Sequence, residues 1–184
     1  MHALVEAMRA GGLPDLNIVR LAECGFDHEG ISYLTAAMKD GYFKRLTHLH
    51  LSHNSLGEQG LELLGEGLGA GQCMQLTSLG LDDVRLNDRG MRSLALAFEN
   101  LSCIHLEELS LLYHSMGPQG LRVLLQLLRE GKCRALRLML LGALGLLNNL
   151  EAALVIKEIE IHGRCYQARK MDVYTHTPAT VYTL

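Results

Sequence analysis

Leucine returns every 30 positions in this chain, at Leu16, Leu46, Leu76, Leu106 and Leu136. Three residues after each comes Val19, Leu49, Leu79, Leu109 or Met139, and two further on comes Leu21, Leu51, Leu81, Leu111 or Leu141. Alternate residues of a strand share one face, so each unit opens with a strand pattern, L-x-x-L-x-L. A second apolar set follows at helical spacing: Leu61, Leu64 and Leu68, then Met91, Leu94 and Phe98, then Leu121, Leu124 and Leu128. One strand and one helix cannot bury their apolar faces alone. Repeated in register they cover one another, and the expected fold is an α/β solenoid.

Local signals agree with the period. Leu46–Gln75 serves as the reference unit, with Leu46, Leu49, Leu51 and Leu56 inward and Asn54 in the bend after the strand. An inward Asn can pair backbone groups stranded where the chain turns. Its equivalents are Cys24, Val84, His114 and Leu144, so the polar ladder is mostly absent and these bends should be less rigid. Asp27 and Asn87 suit helix N-caps, Gly57 and Gly117 are weaker ones, and Pro118 suits a first helical turn. Glycines 30, 60, 90 and 120 mark close packing under each bend, and glycines 11, 41, 71 and 131 mark helix ends, with Leu101 the exception.

Charge and cysteine usage bound the function. A net charge of −3 and a pI near 6.3 argue against nucleic-acid binding, which calls for a basic stripe. No apolar run reaches the ~18–20 residues of a membrane span, and the N-terminus does not resemble a secretion signal, so a cytoplasmic protein is expected. Cys73, Cys103 and Cys133 share a column with Leu13 and Phe43, which marks buried, reduced thiols. Cys24 is expected to be buried too; Cys165 lies outside the columns.

The ends depart from the period. Leu4 and Met8 precede Leu34 and Met38 by 30, so residues 1–10 read as the helix of an earlier unit. Either that helix is itself the cap or, the favoured expectation from a start within a unit, this is the tail of a longer protein. Ile156, Ile159 and Ile161 restore the strand spacing only 20 residues after Leu136. Residues 1–146 are therefore expected to be repeats, in units starting near 16, 46, 76, 106 and 136. Residues 147–184 are expected to form a degenerate last repeat and a C-terminal cap.

These residues, Leu46–Leu68 most closely, resemble the ribonuclease-inhibitor-like class of leucine-rich repeats. That class is similar to what occurs in ribonuclease inhibitor, the GTPase activator of Ran, tropomodulin and the sensor region of NOD-like receptors. The resemblance covers about residues 1–146. It implies a right-handed β/α horseshoe, with parallel strands on the concave face and helices on the convex one.

In a horseshoe one sheet face stays open. Its expected members are Ile18, Arg20, Ala22 and Glu23, then His48, His50, Ser52 and His53, then Ser78, Gly80, Asp82 and Asp83. The fourth unit adds Glu108, Ser110, Leu112 and Tyr113, and the fifth Leu138, Leu140, Gly142 and Ala143. The face thus runs from mixed to His-rich, acidic and apolar. An apolar patch at Leu112, Tyr113, Leu138 and Leu140 is expected either to make a contact or to lie beneath residues 164–184.

Imidazoles beside carboxylates can bind zinc, but H-x-H-x-x-H is a weak motif, and no metal or other cofactor is expected. A pH-sensitive contact suits the histidines better. Nucleophile elbow, P-loop, C-x-x-C and H-E-x-x-H motifs are missing, so an enzyme is not expected. The reading is a protein–protein interaction module, an intracellular scaffold or sensor without membrane insertion. It would bind a partner through His48, His50, His53, Asp82, Asp83, Glu108 and Tyr113, with Tyr113 as an anchor. Two alternatives stand: a small-GTPase regulator resembling the Ran activator, with Arg85 and Arg89 as its arginines, or a purely structural repeat.

Overall fold

In a computed structural model, which describes residues 2–13, 15–100 and 103–143, helix and strand alternate as the period demands. Their order is α1 (His2–Arg9), β1 (Ile18–Arg20), α2 (His28–Lys39), β2 (His48–His50) and α3 (Gly57–Gly69). Then come β3 (Ser78–Gly80), α4 (Asp88–Glu99), β4 (Glu108–His114), α5 (Pro118–Arg129) and β5 (Leu138–Ala143). The strands form one parallel sheet in sequence order, β1-β2-β3-β4-β5. Val19, Leu49, Leu79, Leu109 and Met139 pair in turn, so the 30-residue period is also the sheet register. No described helix is long and apolar enough to cross a membrane.

One core runs between sheet and helices. Leu46, Leu76, Leu106 and Leu136 are buried with Leu49, Leu79, Leu109 and Met139 behind the strands. Leu61, Leu64, Leu68, Met91, Leu94, Phe98, Leu121 and Leu124 meet them from the helices. Leu16 and Leu21 are only half-buried, because β1 is the edge strand of the sheet among the described residues. The same edge corrects the expectation for Cys24, which is exposed, its thiol donating to the Ala22 carbonyl at 3.3 Å. Cys73, Cys103 and Cys133 are buried as their column requires. Burial pushes their thiols up to about 12, about 12 and about 11, which keeps them protonated.

The glycine columns have physical causes. At glycines 30, 60, 90 and 120 an added Cβ would press on the residue four before it: Phe26 at 2.8 Å, Leu56 at 3.0 Å, Leu86 at 3.3 Å and Met116 at 2.4 Å. Glycines 11, 41, 71 and 131 close their helices with φ between +67° and +81°. Leu101, the exception, and residues 144–184 lie outside the described residues.

Asp27 and Asn87 cap α2 and α4 as expected, each side chain accepting from the backbone N–H two and three residues on. α3 starts one residue earlier than expected, at Gly57 itself with Leu56 before it, and φ +61° at Gly57 is what its missing Cβ permits. Gly117 has no side chain with which to cap α5. Asp88, in the first turn of α4, accepts from Gly117 N at 2.7 Å and Gly120 N at 2.8 Å, so the neighbouring unit caps α5.

Asn54 behaves as its position suggests. Its Oδ1 accepts from Cys24 N at 3.1 Å and Phe26 N at 2.9 Å. Its Nδ2 donates to Leu21 O, Leu51 O and Ser52 O at 2.7, 2.8 and 3.3 Å. One side chain thus ties its own bend to the one before.

His114 holds the same column but is served worse. It is 1% exposed, its Nδ1 accepts from Met116 N at 3.3 Å, and its Nε2 has no hydrogen-bond partner among the described residues. Burial moves its pKa down to about 4. A histidine depressed in the folded state stabilises fully above its unfolded value of ~6.5, and that stability is lost as pH falls toward 4. Between pH 7 and 4.5 the wild type should therefore lose about 2 kcal/mol more than His114→Asn. Urea unfolding at the two pH values checks this, and equal losses would refute it.

Candidate protein-binding face

Register turns the concave side into a grid. Ile18, His48, Ser78 and Glu108 form one row across β1–β4, and Arg20, His50, Gly80 and Ser110 the next. The pairing continues into the bends through Glu23 N→Ser52 O, His53 N→Asp82 O and Asp83 N→Leu112 O, at 3.0, 2.7 and 2.9 Å. The bends thereby add the rows Ala22, Ser52, Asp82, Leu112 and Glu23, His53, Asp83, Tyr113.

That last row shares a backbone conformation absent from the rest of the face. Glu23, His53, Asp83 and Tyr113 have φ of 55°, 58°, 50° and 55°. Left-handed backbone costs a non-glycine residue roughly 1–2 kcal/mol and persists only where neighbours enforce it. At Glu23, His53 and Asp83 the bend hydrogen bonds hold it. Nothing in the sequence announced the row, since none of the four is Gly or Asn.

The structure corrects three members of the expected open surface. Ser52, Ser78 and Gly80 are buried, because larger neighbours lean over them. A Cβ on Gly80 would sit 2.6 Å from His50 Nδ1, so the imidazole occupies the space glycine leaves. Ser78 Oγ donates to Glu108 Oε2 at 3.1 Å.

Asp82 is half-buried, its carboxylate committed to neighbouring units. Its Oδ1 accepts from Ser110 Oγ at 2.5 Å and Leu112 N at 2.8 Å, and its Oδ2 lies 3.4 Å from Ser52 Oγ. It ties the third bend to β4 and to the second bend, which makes it a positioning residue. Among the other candidates, Glu108, His53 and Asp83 are exposed and His48, His50 and Tyr113 half-buried. His53 Nδ1 stands 3.4 Å from Asp83 Oδ2, and the His48 and His50 rings are 6.3 Å apart.

His48 Nδ1 lies 2.8 Å from Thr47 Oγ1, whose proton goes to Asn17 O at 2.9 Å. With the hydroxyl donating to that carbonyl, the imidazole donates to the hydroxyl from Nδ1. His50 is held below the ordinary histidine value by burial first, then by Arg20 and His48, while Glu108 and Asp82 pull it back up. Among the described residues no three His, Cys, Asp or Glu side chains are placed to hold a metal ion. Arg89 Nε pairs with Glu58 at 3.0 Å, while Arg85, exposed and with φ +60°, lies apart from it in the bend. The side chains of Leu138 and Leu140 fall outside the described residues, as does the segment expected to cover them. Leu112 is half-buried.

Comparison with known proteins agrees with the fold. A family model described as Leucine Rich repeat matches residues 45–65, the strand, bend and first helical turns of the reference unit. No curated protein sequence matches the chain. Among solved structures it is similar to Leiomodin-1 Actin-Binding Site 2 (ABS2), with a TM-score of 0.63 and 16% identity over 86% of each chain. At that identity the likeness is one of fold. Period, register and both likenesses converge on one fold, an α/β solenoid of the leucine-rich-repeat kind.

Proposed function

We propose that this chain is a non-catalytic protein-interaction module whose concave face grips a partner, as part of an intracellular scaffold or sensor. His48, His50, His53, Asp83, Glu108 and Tyr113 make the contact, and Asp82 holds the face in shape. The observation that carries this reading is the grid itself: exposed and half-exposed polar side chains, from units 30 residues apart, held in register by the sheet and by the left-handed bend row. A face specified this closely presents the preorganised surface that binding rewards. We also read the units as ribonuclease-inhibitor-like, on the support of convex helices 12 or 13 residues long in α2–α5.

The test is affinity capture from cell lysate with the wild type beside His50→Ala/His53→Ala/Tyr113→Ala, after circular dichroism has shown both equally folded. A protein retained by the wild type and lost by the variant supports the concave face. Equal capture by both moves the interaction elsewhere and sinks the reading. Actin is a sensible first defined ligand, because the matched leiomodin domain is titled an actin-binding site.

A further inference from the structure

Charge on the concave face is unevenly satisfied. Each carboxylate toward the β3–β4 side already has a partner within the fold: Asp82 has Ser110 and Leu112 N, Asp83 has His53, and Glu108 has Ser78. The cations toward β1–β2 are not so matched. Arg20 is exposed and, among the described residues, no carboxylate pairs with it; the His50 side chain beside it makes no hydrogen bond there. His48 is half-exposed, its Nδ1 committed to Thr47 and its Nε2 without a hydrogen bond among the described residues. Ile18, 38% exposed, completes the corner as an apolar contact.

These four side chains form two register pairs, Ile18↔His48 and Arg20↔His50. The partners in each pair are about 4.8 Å apart across the sheet, and the pairs about 6.6 Å apart along it. That second spacing is also the repeat between same-side residues of an extended chain. A carboxylate over Arg20 and His50 therefore places the next same-side residue over Ile18 and His48.

We propose that this corner docks an extended acidic segment of a partner protein, with carboxylate against Arg20 and His50 and an apolar or second acidic residue over Ile18 and His48. The proposal rests on the concave face being the binding surface and names the chemistry of what binds there. Phosphate of a nucleic acid is the lesser fit, because Ile18 lies within the corner and the chain carries a net charge of −3.

Binding and protonation are linked at this corner. His50 is surrounded by Arg20 on β1, His48 on its own strand, Glu108 on β4 and Asp82 in the bend after β3. An incoming carboxylate offsets the two cations that disfavour its proton. Affinity must then rise as pH falls through the histidine range, while glutamates of the ligand stay mostly ionised at pH 5.5.

The probes are fluorescein-labelled peptides of alternating glutamate and serine with one central isoleucine, the same peptide with glutamine for glutamate, and a poly(U) oligonucleotide. Fluorescence anisotropy should show the acidic peptide alone binding, about three- to tenfold tighter at pH 5.5 than at pH 7.5. Arg20→Gln should weaken it about tenfold, and His50→Gln should remove the pH gain. Binding of the glutamine peptide or poly(U) as tightly, no binding at pH 5.5, or an unchanged pH gain in His50→Gln would each overturn the proposal. A lysate partner that depends on His53 and Tyr113 but not on Arg20 or His50 would overturn this corner while leaving the concave-face reading intact.

Discussion

Asn54→Leu is expected to destabilise the chain by about 3 kcal/mol and to release the first unit ahead of the rest. The substitution keeps volume and burial at a position 2% exposed, and it removes every hydrogen bond the side chain makes. Cys24 N and Phe26 N lose their acceptor, and the carbonyls of Leu21, Leu51 and Ser52 lose a donor. A buried backbone group left unpaired costs about 1–3 kcal/mol. Those in the half-exposed first unit recover part of this from water, so the total stays well below the sum. Hydrogen exchange is the sharper readout, because solenoids unfold locally. Amides of residues 18–40 should exchange faster in the variant while those of α4 and α5 hold. Uniform acceleration would contradict the role assigned to Asn54.

Gly65→Ala and Gly69→Ala should move stability in opposite directions, although both glycines lie on α3. At Gly65 the new methyl would sit 2.5 Å from the backbone oxygen of Ser93 and 3.0 Å from its carbon. Backbone cannot rotate aside, so α3 and α4 must separate, at about 3 kcal/mol. Alanine's helix preference returns about 1 kcal/mol, which leaves a net loss of about 2. At Gly69 the nearest atom is 3.6 Å away, an ordinary contact. There the preference stands nearly alone, and the variant should gain about 0.5 kcal/mol at this last helical position. Chemical unfolding of the two variants decides it; losses of equal size would mean that the close approach of α3 to α4 does not limit stability.

Leucines at 30-residue spacing disclosed the fold because sheet register and sequence period are the same number, as Val19↔Leu49↔Leu79↔Leu109 shows. Asp27, Asn87 and Asn54 were legible for a related reason: each acts on backbone whose position the period fixes. What stayed hidden depends on neighbours in other units. Ser78 and Gly80 read as surface until His50 and Glu108 are seen to lean over them. Cys24 read as core because its column elsewhere is covered, and only the sheet edge exposes it. Asp88 lies in the first turn of α4, yet its oxygen serves Gly117 and Gly120 of the next unit. Arg20 was legible as a face residue, but its lack of a carboxylate partner is a property of geometry.

The left-handed row of Glu23, His53, Asp83 and Tyr113 has an evolutionary consequence. At Glu23, His53 and Asp83 that backbone is held by hydrogen bonds between main-chain atoms, as at His53 N→Asp82 O. A glutamate, a histidine, an aspartate and a tyrosine all occupy it. Mutation can therefore exchange one of these side chains for another without disturbing the core, and a lineage could change what this face recognises while the leucine columns stay as they are.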